Sequence, residues 1–375
     1  MADDDMLSWD ESVFRDESVL ELDYLPDAFR HRDEQMEALK YALRPAVRGS
    51  RPLNVMARGP PGTGKTTAVQ KLFDELTNAA DIEVVRVNCQ VDSTRYAVFS
   101  RLFEGLFEYE PPASGISFKK LFGQITDRLV EEDEVLVVAL DDVNYLFYEG
   151  EASDTLYSLL RAHEAHSGAK IGVIVVSSDL DLDVIEELDT RVQSVFRPEE
   201  VYFSAYGERE VVDILAERVD RGFREDAVGP QVLDRVAGYT ADSGGDLRVG
   251  VDLLRRAGLN AEMRGSTEVD VDDVDSAYEK AKYIHLSRHL RGLSESEKAL
   301  IRVLADHDGK QAGEVYEAFS GVTDLGYTRY SEIVNKLEQL GLIETAYTNV
   351  EGRGRSRALS LSYDADAVLD RLEDS

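Results

Sequence analysis

Residues 53–67 read Leu-Asn-Val-Met-Ala-Arg-Gly-Pro-Pro-Gly-Thr-Gly-Lys-Thr-Thr, a short apolar run followed by a glycine-rich segment and a lysine. From Gly59 to Thr66 the residues fit the phosphate-loop pattern, and they stand between a predicted strand and a predicted helix, as that pattern requires. A chance glycine-rich turn is the alternative, but it would lack this context. The stretch therefore predicts a nucleotide-binding site.

Each residue type in this loop has a physical role. Glycines let backbone N–H groups face the phosphates, Lys65 supplies a cation to the terminal phosphates, and Thr66 offers a hydroxyl to Mg²⁺. The predicted nucleotide-binding residues of the loop are Gly59, Pro60, Pro61, Gly62, Thr63, Gly64, Lys65, Thr66 and Thr67.

Further short apolar runs occur between helical patterns. The five runs are residues 53–57, 82–87, 135–140, 171–176 and 201–203. They are mostly apolar at successive positions rather than strictly alternating, as expected of parallel strands that helices cover on both faces. The sequence thus predicts a three-layer α/β fold.

After residue 203 the strand signals stop and helical periodicity begins, over residues 208–221, 230–239, 245–263 and 271–290. Ser294 and Glu297 form a capping box that opens another helix, which places a boundary near residue 292. Helices over 311–319 and 327–340 then precede a predicted hairpin of 342–347 and 359–363, an order typical of a winged helix. The predicted domains are a nucleotide-binding base (1–203), a helical lid (204–292) and a winged helix (293–375).

The composition is strongly acidic: 375 residues include 74 acidic and 42 basic ones, which gives a net charge of −32. Molar salt screens repulsion among surface carboxylates, so this balance suggests a salt-rich cytoplasm. An acidic protein from an ordinary cytosol is the alternative. Any contact with DNA must then rest on local basic clusters.

Other features bear on the compartment. The single cysteine, Cys89, excludes an intramolecular disulfide and favours a reducing environment. The acidic N-terminus and the absence of a long apolar run predict a cytoplasmic protein with no membrane partner.

Asp141 and Asp142 follow the predicted strand 135–140, where a phosphate-loop ATPase presents its acidic residues. Asp141 is the predicted metal-side carboxylate, and Asp142 takes the base or water-positioning role. A merely polar strand end is the alternative interpretation.

With these motifs placed, nearly the whole chain resembles the archaeal origin-recognition and replication-initiator family of AAA+ proteins. The resemblance begins at residues 13–15 and 24–33, similar to the family segment that packs around adenine, which implies that His31 and Arg32 contact the nucleotide. It continues through residues 51–54, the phosphate loop and residues 88–89. Residues 94–107 look like the helical insertion of initiators, and Arg95 within it is a candidate DNA contact.

The resemblance implies further nucleotide-site roles. Ser178 lies where the family's sensor 1 usually has asparagine, and Asp142 where AAA+ proteins usually have glutamate, so both polar side chains are shorter and hydrolysis is expected to be slow. Tyr206 and Arg218 resemble lid residues that line the nucleotide, although ordinary packing between domains would also explain Tyr206. Arg248 resembles the sensor 2 arginine, which reaches the phosphates from the lid.

Arg191 resembles an arginine that reaches a neighbouring subunit's nucleotide in related assemblies. A surface arginine that pairs with local acids is the alternative.

The C-terminal part carries the predicted DNA contacts. Helix 327–340 would be the recognition helix, and its outward residues Thr328, Arg329, Ser331 and Lys336 suit base edges and phosphates. The loop 351–357 resembles the family's wing, and it carries Arg353, Arg355 and Arg357, which can lie along a DNA backbone or in a minor groove. A solvated hairpin is the alternative.

These features together predict an ATP-dependent DNA replication initiator with ATP or ADP and Mg²⁺ as cofactors. By resemblance, its partners are double-stranded origin DNA, the replicative helicase and other initiator subunits, and ATP acts as a slowly hydrolysed switch. The alternatives are a remodelling or clamp-loader-like AAA+ ATPase and an ATP-regulated winged-helix transcription regulator.

Overall fold

The computed structural model describes residues 12–112, 115–180, 182–291, 293–339, 342–350 and 354–373. The chain divides into two compact units, Met1–Val274 and Asp275–Ser375. No helix among the described residues is both long and apolar enough to cross a membrane.

The first unit is built on a parallel sheet. Its strands are β1 (Val55–Arg58), β2 (Ile82–Asn88), β3 (Val135–Asp141), β4 (Lys170–Ser177) and β5 (Glu199–Tyr202). Their order across the sheet is β2-β3-β4-β1-β5, and every pairing between them is parallel. The predicted parallel sheet is confirmed, with strand ends shifted by one or two residues from the apolar runs.

Helices cover both faces of this sheet. They are α1 (Asp33–Leu43), α2 (Lys65–Ala79), α3 (Arg95–Phe107), α4 (Phe118–Glu131), α5 (Asn144–Tyr148), α6 (Ala152–Leu160), α7 (Ala162–Ala165) and α8 (Thr190–Gln193). Val137 of β3 packs with α1 and α2 on one face, whereas Val138 packs with α3, α4 and α6 on the other. Burial on both faces explains why β3 is apolar at successive positions, and the three-layer fold is confirmed.

The lid helices of the first unit follow the sheet. They are α9 (Glu208–Gly222), α10 (Pro230–Asp242) and α11 (Leu247–Met263), and α12 (Val271–Arg291) begins in the same unit. The N-terminal segment joins them: Arg15 donates its backbone N–H to the Gly222 carbonyl at 2.8 Å, and the rings of Phe14 and Phe223 lie 4.9 Å apart. The segment at residues 13–15 is therefore bound to the lid.

The second unit has the helices and hairpin expected of a winged helix. Its elements are α13 (Glu295–Asp306), β6 (Lys310–Gln311), α14 (Ala312–Val322), α15 (Tyr327–Gln339), β7 (Ile343–Val350), β8 (Gly354–Leu361) and α16 (Ala365–Glu373). The strands form an antiparallel sheet in the order β6-β8-β7. At the start of α13, the Ser294 N–H donates to Glu297 Oε2 at 2.9 Å, as the capping box predicted.

Two expectations about this unit differ from the structure. Residues 354–357 were expected in a loop, but they lie in β8 because they pair with residues 347–350 of β7. The compact division falls after Val274, earlier than residue 292, because Leu290 near the end of α12 already belongs to the winged-helix core. Strand β6, which is two residues long, and helix α16 were not predicted from the sequence.

Tyr330 allows a test of which contacts stabilise the core of the second unit. Its side chain is 1% exposed and its hydroxyl donates to the Ala312 carbonyl at 2.8 Å. Tyr330→Phe should destabilise the unit by about 1–2 kcal/mol because the hydrogen bond between the buried tyrosine and the partly buried Ala312 carbonyl is lost. Hydrogen exchange of the α14 and α15 amides measures this directly.

Tyr327 supplies the matched control, since it lies three residues away in the same aromatic cluster but is 57% exposed. Tyr327→Phe should leave exchange nearly unchanged. Equal effects of the two substitutions would contradict the assigned hydrogen bond.

Candidate functional site

The phosphate loop, residues 59–66, runs from the end of β1 into the first turn of α2. Two of its glycines lie so close to neighbouring atoms that a side chain would not fit. At Gly59, with φ +152°, an added Cβ would lie 2.1 Å from the Phe203 carbonyl oxygen. At Gly62, with φ +67°, it would lie 1.7 Å from Asp246 Oδ1. The loop is thus packed against both the sheet and the lid, and side chains at these positions would push it out of place.

The ammonium group of Lys65 lies against the first residues of the phosphate loop. Its Nζ donates to the Gly59 and Pro60 carbonyls at 2.8 and 2.6 Å, and the residue is 4% exposed. Burial lowers the pKa of Lys65 to about 8, and Asp142 opposes this shift. A buried ammonium with only carbonyl partners is a suitable binding group for a phosphate, whose charge would favour its protonated form.

Thr66 and Asp141 meet beside Lys65. The Thr66 hydroxyl lies 3.0 Å from Asp141 Oδ2, and Asp141 is only 7% exposed at the end of β3. Burial raises the pKa of Asp141, while the Thr66 hydrogen bond opposes this rise. Hydroxyl and carboxylate oxygens are the ligands that Mg²⁺ prefers, usually one or two of them together with phosphates. These residues therefore fit a magnesium ion that a nucleotide would share.

The lid brings a second cation to the loop. Arg248, in the first turn of α11, pairs with both carboxylate oxygens of Asp246 at 3.1 and 3.0 Å. The Leu247 backbone N–H also faces the Gly62 carbonyl at 3.3 Å. The sensor 2 candidate therefore lies at the phosphate loop, with a carboxylate as its present partner.

A cavity of about 450 Å³ lies between the phosphate loop and the lid, which is a suitable size for a nucleotide. The predicted site residues that line it are Gly62, Thr63, Gly64, Lys65, Thr66, Thr67, Asp142, Ser178, Tyr206, Arg218 and Arg248. Asp142 follows β3 and Ser178 follows β4, so adjacent strands bring them to the same edge. The sequence thus predicted most of the phosphate side of this cavity.

Gly59, Pro60, Pro61, His31, Arg32 and Asp141 are not among the residues that line the cavity. Asp141 lies just behind it through its contact with Thr66. Pro60 supports the loop from within, because its carbonyl accepts from the Thr63 hydroxyl at 2.8 Å.

The far end of the cavity is aromatic and basic. The Arg218 guanidinium lies 4.9 Å from the centre of the Tyr24 ring, and Arg221 lies 3.1 Å from the Tyr24 hydroxyl. Arg218 is 9% exposed and donates to the Val19 carbonyl, while its Nε has no hydrogen-bond partner among the described residues. Phe29 lies beside Gly64, where an added Cβ would be 3.0 Å from the Phe29 ring. Tyr24 and Phe29 were not predicted individually as site residues. Both lie in residues 24–33, which resemble the family segment that packs around adenine.

Arg32 lies behind the phosphate loop. Its guanidinium donates to the carbonyls of His31, Thr63 and Ser204 at 2.9, 3.0 and 2.7 Å, and stacks 3.7 Å from the centre of the Tyr206 ring. Arg32 is 2% exposed. Arg32 is therefore placed to support the loop, not to face the cavity.

His31 lies outside the cavity as well. Its Nε2 is 3.2 Å from Asp213 Oδ2 of the lid helix α9. Its backbone has a positive φ of 58°, which is uncommon for a residue other than glycine. His31 thus joins the N-terminal segment to the lid.

Arg191 and Arg95 share one carboxylate at a distance from the cavity. Arg191 pairs with Asp154 and, at 3.0 Å, with Asp189, and Arg95 lies 3.6 Å from Asp154. Arg191 remains 49% exposed. Its position agrees with a surface arginine that pairs with local acids, and its role towards a neighbouring subunit stays a prediction.

Apart from Arg95, the predicted DNA contacts lie in the second unit. Thr328, Arg329 and Lys336 are exposed on α15 and Ser331 is partly exposed, while Ile333, Val334 and Leu337 face the core. Arg353 lies outside the described residues, and so does the side chain of Arg355.

The described basic side chains of this surface already have acidic partners. Arg329 pairs with Glu332 at 2.7 Å. Lys336 pairs with Glu297 at 2.9 Å. Arg357 donates to Glu338 and, at 2.9 Å, to Asn335. A DNA phosphate would have to replace these carboxylates.

Comparison with known proteins gives consistent matches along the chain. Residues 48–183 match the family described as AAA domain, and residues 212–279 match the Cdc6 AAA+ ATPase-type lid domain. The sequence is 76% identical to ORC1-type DNA replication protein 3 of Haloarcula marismortui over 99% of both chains. It is 67% identical to ORC1-type DNA replication protein 6 of Halobacterium salinarum over 98% of both. The solved structure of Aeropyrum pernix ORC1 in complex with DNA is similar with a TM-score of 0.73 and 28% identity, covering 96% of this chain and 97% of that one.

Arg32→Lys tests whether the buried guanidinium holds the loop and the lid. Lysine keeps the charge but cannot span three carbonyls or stack in the same way, so the first unit should lose about 2–4 kcal/mol of unfolding free energy. Urea denaturation followed by circular dichroism measures this loss.

Arg30→Lys is the matched control, because Arg30 is 52% exposed and makes one ion pair, with Glu217 at 3.1 Å. Its effect should stay below about 0.5 kcal/mol. If Arg32→Lys were equally mild, the support of the loop would not depend on Arg32.

Proposed function

Because the chain belongs to the family of ORC1-type DNA replication proteins, we propose that this initiator binds ATP or ADP with Mg²⁺ in its cavity and duplex origin DNA through its second unit. The observation that carries the proposal is the convergence of Lys65, Thr66 and Arg248 on one cavity of nucleotide size. Two loop residues and one lid residue there offer charge and hydrogen bonds to phosphates.

Thr66 and Asp141 would hold the magnesium ion. When bound, the ion supplies positive charge to the terminal phosphates. Lys65 would exchange its contacts with the Gly59 and Pro60 carbonyls for contacts with phosphate oxygens. Tyr24 and Phe29 would pack near the base.

The proposed switch depends on Arg248. This arginine pairs with Asp246, whose carboxylate also lies against Gly62. A terminal phosphate carries more charge than a carboxylate and would compete for the guanidinium. The lid would then take different positions with ATP and with ADP, because only ATP offers the terminal group.

Slow turnover is the second part of the proposal. Asp142 and Ser178 line the phosphate side of the cavity, and each is shorter than the residue usual in the family. A shorter side chain reaches less far towards an attacking water, and misplacement by about 1 Å costs on the order of a hundredfold in rate. ATP would therefore persist long enough to act as a signal.

Asp142→Glu combined with Ser178→Asn should raise the steady-state rate of ATP hydrolysis at least about tenfold, because both changes extend the side chain towards the attacking water. Release of inorganic phosphate measures the rate, and the same pair combined with Lys65→Ala controls for contaminating activity. Fast hydrolysis by the unchanged protein would contradict the switch.

The second unit is the proposed DNA-binding part. Aeropyrum pernix ORC1, which is similar over nearly the full chain, was solved in complex with DNA. Thr328, Arg329 and Lys336 are exposed on one helix, and β7 and β8 form the wing. By family resemblance, the initiator would recruit or load the replicative helicase, act with other initiator subunits, and work on the nucleoid in the cytoplasm.

Duplex binding in high potassium chloride tests this function, with ATP, ADP or no nucleotide and with origin fragments against random competitor. We expect selective binding of origin DNA and a different affinity with ATP and ADP. Binding to scattered promoters would favour a transcription regulator instead, and no selectivity with brisk ATP turnover would favour a remodelling ATPase.

Arg353→Ala with Arg355→Ala should weaken duplex binding at least about tenfold at fixed salt while leaving nucleotide affinity unchanged, since two phosphate contacts are lost. The control is Arg302→Ala, an exposed arginine on α13 of the same unit. A double variant that binds DNA as well as the control would rule out the wing as a DNA contact.

A further inference from the structure

Arg86 lies at the metal side of the cavity, in a position that no motif predicted. It is on β2, which is the outer strand of the described sheet next to β3. Side chains alternate along a strand, so Arg86 shares the face of Ile82 and Val84, which pack beside α2. The first turn of α2 carries Thr66, and Arg86 lines the cavity together with it.

The guanidinium of Arg86 contacts the carboxylate that the metal would use. Its Nη1 lies 3.4 Å from Asp141 Oδ2, the same oxygen that lies 3.0 Å from the Thr66 hydroxyl. Among the described residues, Asp141 is the only hydrogen-bond partner of this guanidinium. The contact is long and uses one nitrogen, so it is a weak interaction that another cation can replace.

From this contact we propose that Arg86 is the resident counter-cation of the magnesium position. It neutralises Asp141 when no metal is bound, and Mg²⁺ must displace it from that carboxylate. The inference rests on the proposed binding of nucleotide with Mg²⁺ and adds a residue that regulates how tightly the metal is held.

The charges and the exposure of Arg86 support such an exchange. Asp141 is 7% exposed, so its charge without a metal needs a nearby cation. Arg86 is 40% exposed, so it can turn towards solvent or a phosphate when the metal arrives.

The test is a calorimetric titration of Mg²⁺ into protein with bound ADP, with protein in excess over ADP and the lowest potassium chloride that keeps the chain folded. Arg86→Gln should lower the half-saturating Mg²⁺ concentration at least about threefold, because repulsion between a monovalent and a divalent cation is removed. Arg86→Lys should stay within about twofold of the unchanged protein because it keeps the charge.

Arg101→Gln is the matched control, since Arg101 is 44% exposed and pairs with Asp92 at 3.2 Å away from the cavity. It should not alter the titration. An unchanged or higher half-saturating concentration in Arg86→Gln would overturn the inference while leaving nucleotide binding intact. Failure of the unchanged protein to bind ADP would instead overturn the proposed function, and this inference with it.

Discussion

The buried guanidinium of Arg32 is the interaction on which the first unit depends. It joins the Thr63 carbonyl of the phosphate loop to the Ser204 carbonyl that follows β5, and it stacks on Tyr206. The backbone groups it satisfies belong to segments that are distant in sequence, so no local structure could replace it. The phosphate loop and the lid together form the nucleotide pocket. Their relative position therefore depends on Arg32, a side chain that lies outside the pocket.

The loop and the lid also meet directly, and this contact makes the site sensitive to what fills it. Asp246 lies against Gly62 while it holds Arg248, so an anion that takes Arg248 also changes what faces the loop. Part of the binding free energy of the terminal phosphate would then drive movement of the lid, and the remainder would appear as affinity. The shortened side chains at Asp142 and Ser178 would favour this use of ATP over turnover.

The sequence predicted the parts of the molecule that follow from local pattern. Runs such as residues 135–140 are apolar at successive positions because both faces of β3 are buried, and the loop at 59–66 has its own glycine spacing. Arg32 and Arg86 could not be assigned this way, because their roles depend on strands and loops brought together by folding. The short strand β6 and the end of the wing loop were also missed, since pairing with β8 and β7 decides them.

A shared feature of the sites is that their cations already have acidic partners: Arg248 with Asp246, Arg86 with Asp141 and Arg357 with Glu338. For the proposed phosphate contacts of Arg248 and Arg357, binding would then exchange one anion for another. A carboxylate released by DNA would take up a cation from solution, which would offset part of the counterion release from the nucleic acid. Affinity for DNA would therefore depend less on salt than the number of contacts implies. Such an exchange would suit a protein with a net charge of −32.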